Sequence, residues 1–205
     1  MFGIHKTPHA SELRDERFAS EAEFEGEFDS QAVSLQWLAE VITGDAQVAR
    51  QCVTDARTLS SKNSQVFRDW LSHWARTATV RKAIDAVRAE LAAASLTYQA
   101  SVEHGAHEPL ATEDMRLLQT LDATQIAAAL DPLARATLVL RGIQRATLQE
   151  CALTFGVSRV VVLAAMCKAV TWVRSLESDF LHTAKRGAAA PRCSTAHTPQ
   201  RSERR

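Results

Sequence analysis

The sequence predicts an all-α protein made of two small helical modules joined by a flexible linker, the second containing a helix-turn-helix. Apolar residues recur three and four positions apart along most of the chain, as on the buried face of a helix. Alternating apolar and polar runs are missing, and Ala, Leu, Gln and Arg, which favour helices, are abundant. A capped, interrupted pattern between Thr147 and Val173 predicts the helix-turn-helix.

Charge is unevenly distributed along a chain of 205 residues whose formal net charge is zero. Glu12 to Asp29 is acidic and Lys185 to Arg205 is basic, so we predict a partly disordered acidic arm over residues 1–30 and a disordered basic tail over 183–205. A zero net charge gives no overall attraction to nucleic acid. The sequence lacks a signal-peptide core and any apolar run long enough to span a membrane, which predicts a cytoplasmic protein.

The chain offers no clear set of metal ligands or catalytic groups. The cysteines are scattered without a CxxC pair: Cys52, Cys151, Cys167 and Cys193. Three of them lie in helical patterns, where a free thiol packs like a small apolar side chain. His104 and His107 lie beside Gly105 and Pro109 in a predicted loop, without further ligands. We therefore expect no metal, no cofactor and no enzymatic activity.

Three helices are predicted in the first module, residues 31–94. The first carries Val33, Trp37, Leu38, Val41 and Ile42 on its inner face and ends at Gly44. Asp45 caps the second, whose inward residues are Val48, Ala49, Cys52, Val53 and Ala56. The third carries Phe67, Trp70, Leu71, Trp74, Ala75 and Ala78 on one face, as core residues rather than as a platform for nucleic-acid bases.

The apolar stripe of the third helix then changes direction. Val80, Ile84, Val87 and Leu91 are spaced regularly but point about a third of a turn away from the earlier face. Either the helix breaks near Thr79, or its second half packs against a different part of the protein. From Ala92 to Pro109 the periodicity is lost, which predicts a linker, placed at residues 95–112.

The second module, residues 113–182, begins with an apolar set of Met115, Leu118 and Leu121. Ile126 and Leu130 extend this set. Asp131 and Pro132 are typical of a helix start, and the helix that follows is predicted to run to Gly142.

The helix-turn-helix comes next. Thr147 and Glu150 form a capping box, and Gly156 is suited to the left-handed turn after the first helix. Ser158 caps the second helix, which we expect to extend to about Phe180. The predicted inner faces of the two helices comprise Cys151, Ala152, Phe155, Val162, Ala165, Met166, Ala169 and Val173. The positions expected to face a DNA groove include the apolar residues Leu163, Ala164 and Cys167.

These pieces, in this order, resemble a bacterial RNA polymerase sigma factor of the two-domain extracytoplasmic-function class. In the first module, Ile42-Thr43-Gly44-Asp45 resembles the family's helix-GD-helix junction, and Phe67-Arg68-Asp69-Trp70-Leu71 resembles its FRxWL helix. In the second, Leu138-Val139-Leu140-Arg141 and Glu150-Cys151-Ala152 with Gly156-Val157-Ser158 resemble its LLLR helix and its helix-turn-helix. The resemblance covers residues 35–91 and 113–176.

The resemblance implies two functional surfaces. The polymerase-binding residues would be Arg50, Gln51, Thr54 and Asp55, with Thr54 where the family usually has Gln. Capture of the unwound promoter strand would fall to the loop from Thr58 to Gln65 and to Arg76, Thr77, Arg81 and Lys82. That loop lacks the aromatic residues on which bases stack.

In the recognition helix, Leu163-Ala164-Ala165 stands where the family generally has basic and hydroxyl-bearing residues. Arg159, Lys168 and Arg174 remain as cations able to bind DNA, or as solvated charges on an amphipathic helix. Three functions stay open. The first is a divergent sigma factor that binds core RNA polymerase and promoter DNA, under the control of an anti-sigma protein in some cases. The second is a degenerate sigma-like protein that acts through protein–protein contacts. The third is a low-specificity helix-turn-helix DNA-binding regulator.

Overall fold

The computed structural model describes residues 17–60, 66–100 and 120–187, and these residues form α-helices without any strand. The α-helices are α1 (Glu21–Ser30), α2 (Ala32–Thr43), α3 (Ala46–Ser60), α4 (Leu71–Ala86), α5 (Arg88–Ala100), α6 (Ala123–Ala129), α7 (Pro132–Thr137), α8 (Leu148–Phe155) and α9 (Arg159–Gly187). A 3-10 turn, Arg68–Trp70, precedes α4, and a π-helical turn, Leu138–Ile143, follows α7. The all-α prediction is confirmed.

Part of the predicted N-terminal arm is an ordered helix. Ser20 caps α1 through a capping box with Glu23, a motif that satisfies the first free amides of a helix. Phe24 and Phe28 of α1 are buried against α3 and α4, where Trp74 contacts both rings edge-on. Residues 17–30 therefore belong to the folded protein, whereas residues 1–16 lie outside the described part.

The junction between α2 and α3 has the predicted geometry. Gly44 ends α2 with φ of 72°, and the Asp45 carboxylate accepts hydrogen bonds from the amides of residues 47 and 48. Two predicted inward residues are exposed: Val33 at 86% and Val48 at 38%. The buried face of α2 starts at Leu35, and at about 100° per residue Val33 points away from it. Val48 is rotated in the same way from buried Ala49.

The change in the apolar stripe after Ala78 reflects a new packing partner rather than a break at Thr79. Helix α4 runs unbroken through Thr79 and ends at Ala86, and α5 starts one residue after Val87. The redirected residues are all buried: Val80, Ile84, Val87 and Leu91. They share one core cluster with residues from α6, α7 and α9, and Val80 and Ile84 line a cleft together with Leu140 of the predicted second module.

The predicted linker begins too early. Residues 92–100 are helical in α5, and Ser95 is buried, so the linker prediction is wrong for them. The periodicity is weak there because α5 packs against both α7 and α9 and carries mostly small residues. Residues 101–119, which include the rest of the predicted linker, His104, His107, Met115 and Leu118, lie outside the described part.

One hydrophobic core joins the two predicted modules. It contains Ile42 and Ile84 from the first and Ile126, Leu133 and Val162 from the second. Helix α2 packs directly on α6 and α7, and the indole of Trp37 donates a 3.0 Å hydrogen bond to the carbonyl of Leu121. The described residues therefore do not divide into two separate cores at the predicted boundary.

The second half follows the predicted order with two changes of boundary. Asp131 caps α7 and Pro132 occupies its first turn, but the α-helix ends at Thr137 and a π-helical turn replaces the predicted helix up to Gly142. Helix α9 extends to Gly187, beyond the predicted end at Phe180 and into the predicted basic tail. Residues 188–205 lie outside the described part.

Among the described residues, no single helix is both long and apolar enough to cross a membrane. Together α8 and α9 have enough length and apolar character, but they bend by 106° at the turn between them.

Candidate functional site

Helices α8 and α9 form a helix-turn-helix with well-defined caps. The Thr147 amide donates to the Glu150 carboxylate over 2.6 Å, and the Glu150 amide donates back to the Thr147 hydroxyl over 3.2 Å. The hydrogen bonds from Thr147 lower the pKa of Glu150. Gly156 takes the left-handed turn with φ of 71°, and the helices cross at 106°, within the ~90–120° typical of this motif.

The inner faces of both helices are buried as predicted. Every predicted inward residue has 6% exposure or less: Cys151, Ala152, Phe155, Val162, Ala165, Met166, Ala169 and Val173. The opposite side of α9, here called the outer face, comprises Val160, Leu163, Ala164, Cys167 and Lys168. Val160 is 49% exposed, whereas Leu163, Ala164 and Cys167 are half-buried, and α5 packs against α9.

Lys168, one of the predicted DNA contacts, forms an ion pair with Asp131. Its ammonium lies 2.9 Å from Asp131 Oδ2, and the Tyr98 hydroxyl donates to the same oxygen over 2.5 Å. We call Tyr98, Asp131 and Lys168 the Asp131 cluster. Burial disfavours a charged Asp131, but the hydrogen bonds from Tyr98, Lys168 and the backbone outweigh this effect and lower its pKa. Burial and the bond to Asp131 raise the pKa of Tyr98.

The other two predicted cations of α9 do not join Lys168. Arg159 and Arg174 are exposed, at the start of α9 and in its fifth turn. At about 100° per residue, Arg159 and Lys168 lie on opposite sides of the helix. The three cations therefore do not form one basic stripe.

The predicted polymerase-binding residues lie together on α3. Arg50, Gln51 and Thr54 are exposed and Asp55 is half-buried, on neighbouring turns of the helix. The Gln51 amide donates to the Asp55 carboxylate over 2.8 Å, and the Thr54 hydroxyl donates to the Arg50 carbonyl over 3.0 Å. We call this set the α3 polar face. It is an accessible, ordered surface on a helix held by the core.

The predicted strand-capture residues separate into two places on α4. Arg81 and Lys82 line one cleft of about 280 Å³, together with Trp74 and Asp85. Arg76 lines a different cleft of about 590 Å³ beside Trp37, and its guanidinium donates to Gln31 over 3.0 Å.

The remaining predicted strand-capture residues are only partly described. Thr77 is exposed and lines the cleft of Arg81 and Lys82. Residues 58–60 of the predicted capture loop are the last turn of α3, so the loop prediction is wrong there, and residues 61–65 lie outside the described part.

Two aromatic residues of the predicted core are instead at the surface. Phe67 is 51% exposed and Trp70 is 65% exposed, because the chain makes a 3-10 turn before α4 rather than a regular helix from Phe67. Phe67 pairs with Phe18, with ring centroids 4.9 Å apart. The pairing with Phe18 holds the chain just before the 3-10 turn. Local periodicity could not predict it, because the two residues are far apart in the sequence. Phe67 and Trp70 follow the predicted capture loop in the chain, and that loop itself has no aromatic residue.

Within the described ranges, no group of three or more His, Cys, Asp or Glu side chains is placed to hold a metal ion. Cys52 and Cys151 are buried as predicted, Cys167 is half-buried, and no disulfide joins any of these three described cysteines. Burial raises the pKa of each, to about 11 for Cys151. Cys193 lies outside the described part.

No protein-family model, curated protein or solved structure matches this chain. The sigma-factor resemblance therefore stays a prediction drawn from the motifs quoted above.

Proposed function

We propose that this chain is a sigma-factor-like transcription initiation protein that binds core RNA polymerase and promoter DNA in the cytoplasm. The observation that carries the proposal is the capped helix-turn-helix, whose helices cross at 106°. It follows, in the chain, a helical unit that presents the α3 polar face. The polymerase would contact the α3 polar face. Arg159 and Arg174 would contact DNA phosphates.

A second candidate is a sigma-like protein that has lost promoter reading and acts through protein–protein contacts. Lys168 is engaged by Asp131, and the other residues of the outer face of α9 are apolar or small. Base edges are read by hydrogen bonds from polar side chains, which Leu163 and Ala164 do not supply.

The test is binding of the full chain to purified bacterial core RNA polymerase, followed by transcription from a promoter library. Asp55→Lys should weaken the polymerase complex, because it reverses a charge in the α3 polar face. Asp69→Lys is the matched control: it reverses an exposed charge in the 3-10 turn and should leave binding unchanged.

The outcomes separate the candidates. Polymerase binding with promoter-specific transcripts supports the proposal, and Arg159→Ala should then reduce the transcripts while leaving polymerase binding intact. Binding without transcripts favours the second candidate. Salt-dependent DNA binding without polymerase binding would favour a helix-turn-helix regulator, and no binding to either partner would overturn the proposal.

A further inference from the structure

The Asp131 carboxylate joins three helices through its two oxygens. Oδ1 accepts the amides of Leu133 and Ala134 at the start of α7, over 3.1 and 3.0 Å. Oδ2 accepts the Tyr98 hydroxyl from α5 and the Lys168 ammonium from α9. Each carboxylate oxygen thus accepts two hydrogen bonds, and Oδ2 connects α5 to α9 through Tyr98 and Lys168.

This tie lies over the side of α9 that a helix-turn-helix uses to enter a DNA groove. Leu163 and Cys167 are half-buried there although they lie opposite the core-facing residues of α9. Helix α5 packs against both α7 and α9, and it carries Tyr98. The outer face of α9 is therefore partly covered by a helix of the same chain.

The contact surface between the two halves also contains a polar atom without a hydrogen-bond partner. Arg135 is 7% exposed, and its guanidinium donates one bond to the Ala127 carbonyl while Nε has no partner. The same guanidinium lies so close to Gly44 that a Cβ there would meet it at 3.0 Å. Such an atom would gain a hydrogen bond from water on separation, which lowers the cost of opening this contact.

We propose that the Asp131 cluster is an internal lock that holds α5 over the outer face of α9, and that a phosphate-bearing polyanion displaces Asp131 from Lys168. The chemistry is an exchange of one anionic partner for another at the Lys168 ammonium. The choice of DNA as the polyanion rests on the proposed function, whereas the lock itself rests on the contacts above.

The first measurement is hydrogen–deuterium exchange of the full chain, which reports opening without any ligand. Asp131→Asn keeps a good helix cap but removes the charge that holds Lys168, and Tyr98→Phe removes only the hydroxyl. Both should speed amide exchange in α5 and in the middle of α9 by about three- to tenfold. Asp122→Asn is the matched control, because Asp122 caps α6 in the same way and its described partners include no cation. Unchanged exchange in both variants would overturn the lock.

The second measurement is the affinity for a 20-base-pair DNA duplex, followed by fluorescence anisotropy at fixed salt. Asp131→Asn should bind about three- to tenfold more tightly than the parent, and adding Lys168→Gln should remove that gain. Faster exchange without a gain in DNA affinity would leave the lock standing and would count against DNA as the proposed partner. A gain that survives Lys168→Gln would overturn the exchange at Lys168.

Discussion

At the scale of the residue, two glycines in helical surroundings should respond in opposite ways to alanine. Gly156 has φ of 71°, where a Cβ is disfavoured, although no atom lies within 4 Å of the added carbon. Gly156→Ala should therefore lower the free energy of unfolding by about 1 kcal/mol or more through backbone strain alone. Urea denaturation followed by circular dichroism measures this change.

Gly26→Ala is the matched control, since its Cβ would also meet nothing within 4 Å but the residue lies inside α1. There alanine should raise the free energy of unfolding by about 0.5–1 kcal/mol, because glycine loses more chain entropy in a helix. Equal effects at the two positions would contradict the left-handed turn at Gly156.

Asp131 gives a pH-dependent prediction at the same scale. Its pKa is lowered in the folded protein, so its contribution to stability is present above the unfolded value of about 3.9 and is lost as the pH falls through the folded value. The difference in unfolding free energy between the parent and Asp131→Asn should therefore be larger at pH 6 than at pH 3. A difference that is independent of pH would contradict the hydrogen bonds assigned to its carboxylate.

At the scale of the element, the 3-10 turn before α4 decides which tryptophan is exposed and which is packed against the core. Trp70 is 65% exposed, whereas Trp74, one turn later, contacts Phe24 and Phe28. Trp74→Ala should lower the free energy of unfolding by about 3 kcal/mol because it opens a cavity among aromatic rings. Trp70→Ala should change it by about 0.5 kcal/mol or less. Thermal unfolding of the two variants compares them directly, and a larger loss at Trp70 would show that the 3-10 turn is wrong.

At the scale of the whole molecule, a core cluster shared by both halves predicts one unfolding transition. Leu133 is fully buried in α7 and belongs to the cluster that includes residues of α2, α4 and α9. Leu133→Ala should lower the unfolding free energy by about 2–5 kcal/mol and shift the urea midpoints of α3 and α9 together. Hydrogen exchange measured across a urea series reports each helix separately.

Leu153→Ala serves as the control for that experiment, because Leu153 is 72% exposed on α8 and should leave both midpoints nearly unchanged. If Leu133→Ala shifted only the midpoint of α9, the two halves would be independent modules, as the sequence suggested.

The sequence by itself determined most of the helices, the caps at Asp45, Asp131 and Thr147, and the helix-turn-helix pattern. Asp45, Thr147 and Gly156 act on amides within a few residues of themselves, so their roles are visible in the order of the chain. Most inward positions followed too, because helical periodicity repeats every few residues. Of the candidate site, the residues of the α3 polar face lie on one helix, whereas their role in binding polymerase stays a prediction.

Only the tertiary structure decided that the two halves share a core, that Phe67 and Trp70 are exposed, and that Lys168 binds Asp131. Those outcomes depend on partners far apart in the chain: Lys168 is 37 residues from Asp131, and Trp37 is 84 residues from Leu121. No local pattern encodes such pairs, because the sequence pattern that forms each helix is the same whether or not the distant partner is present.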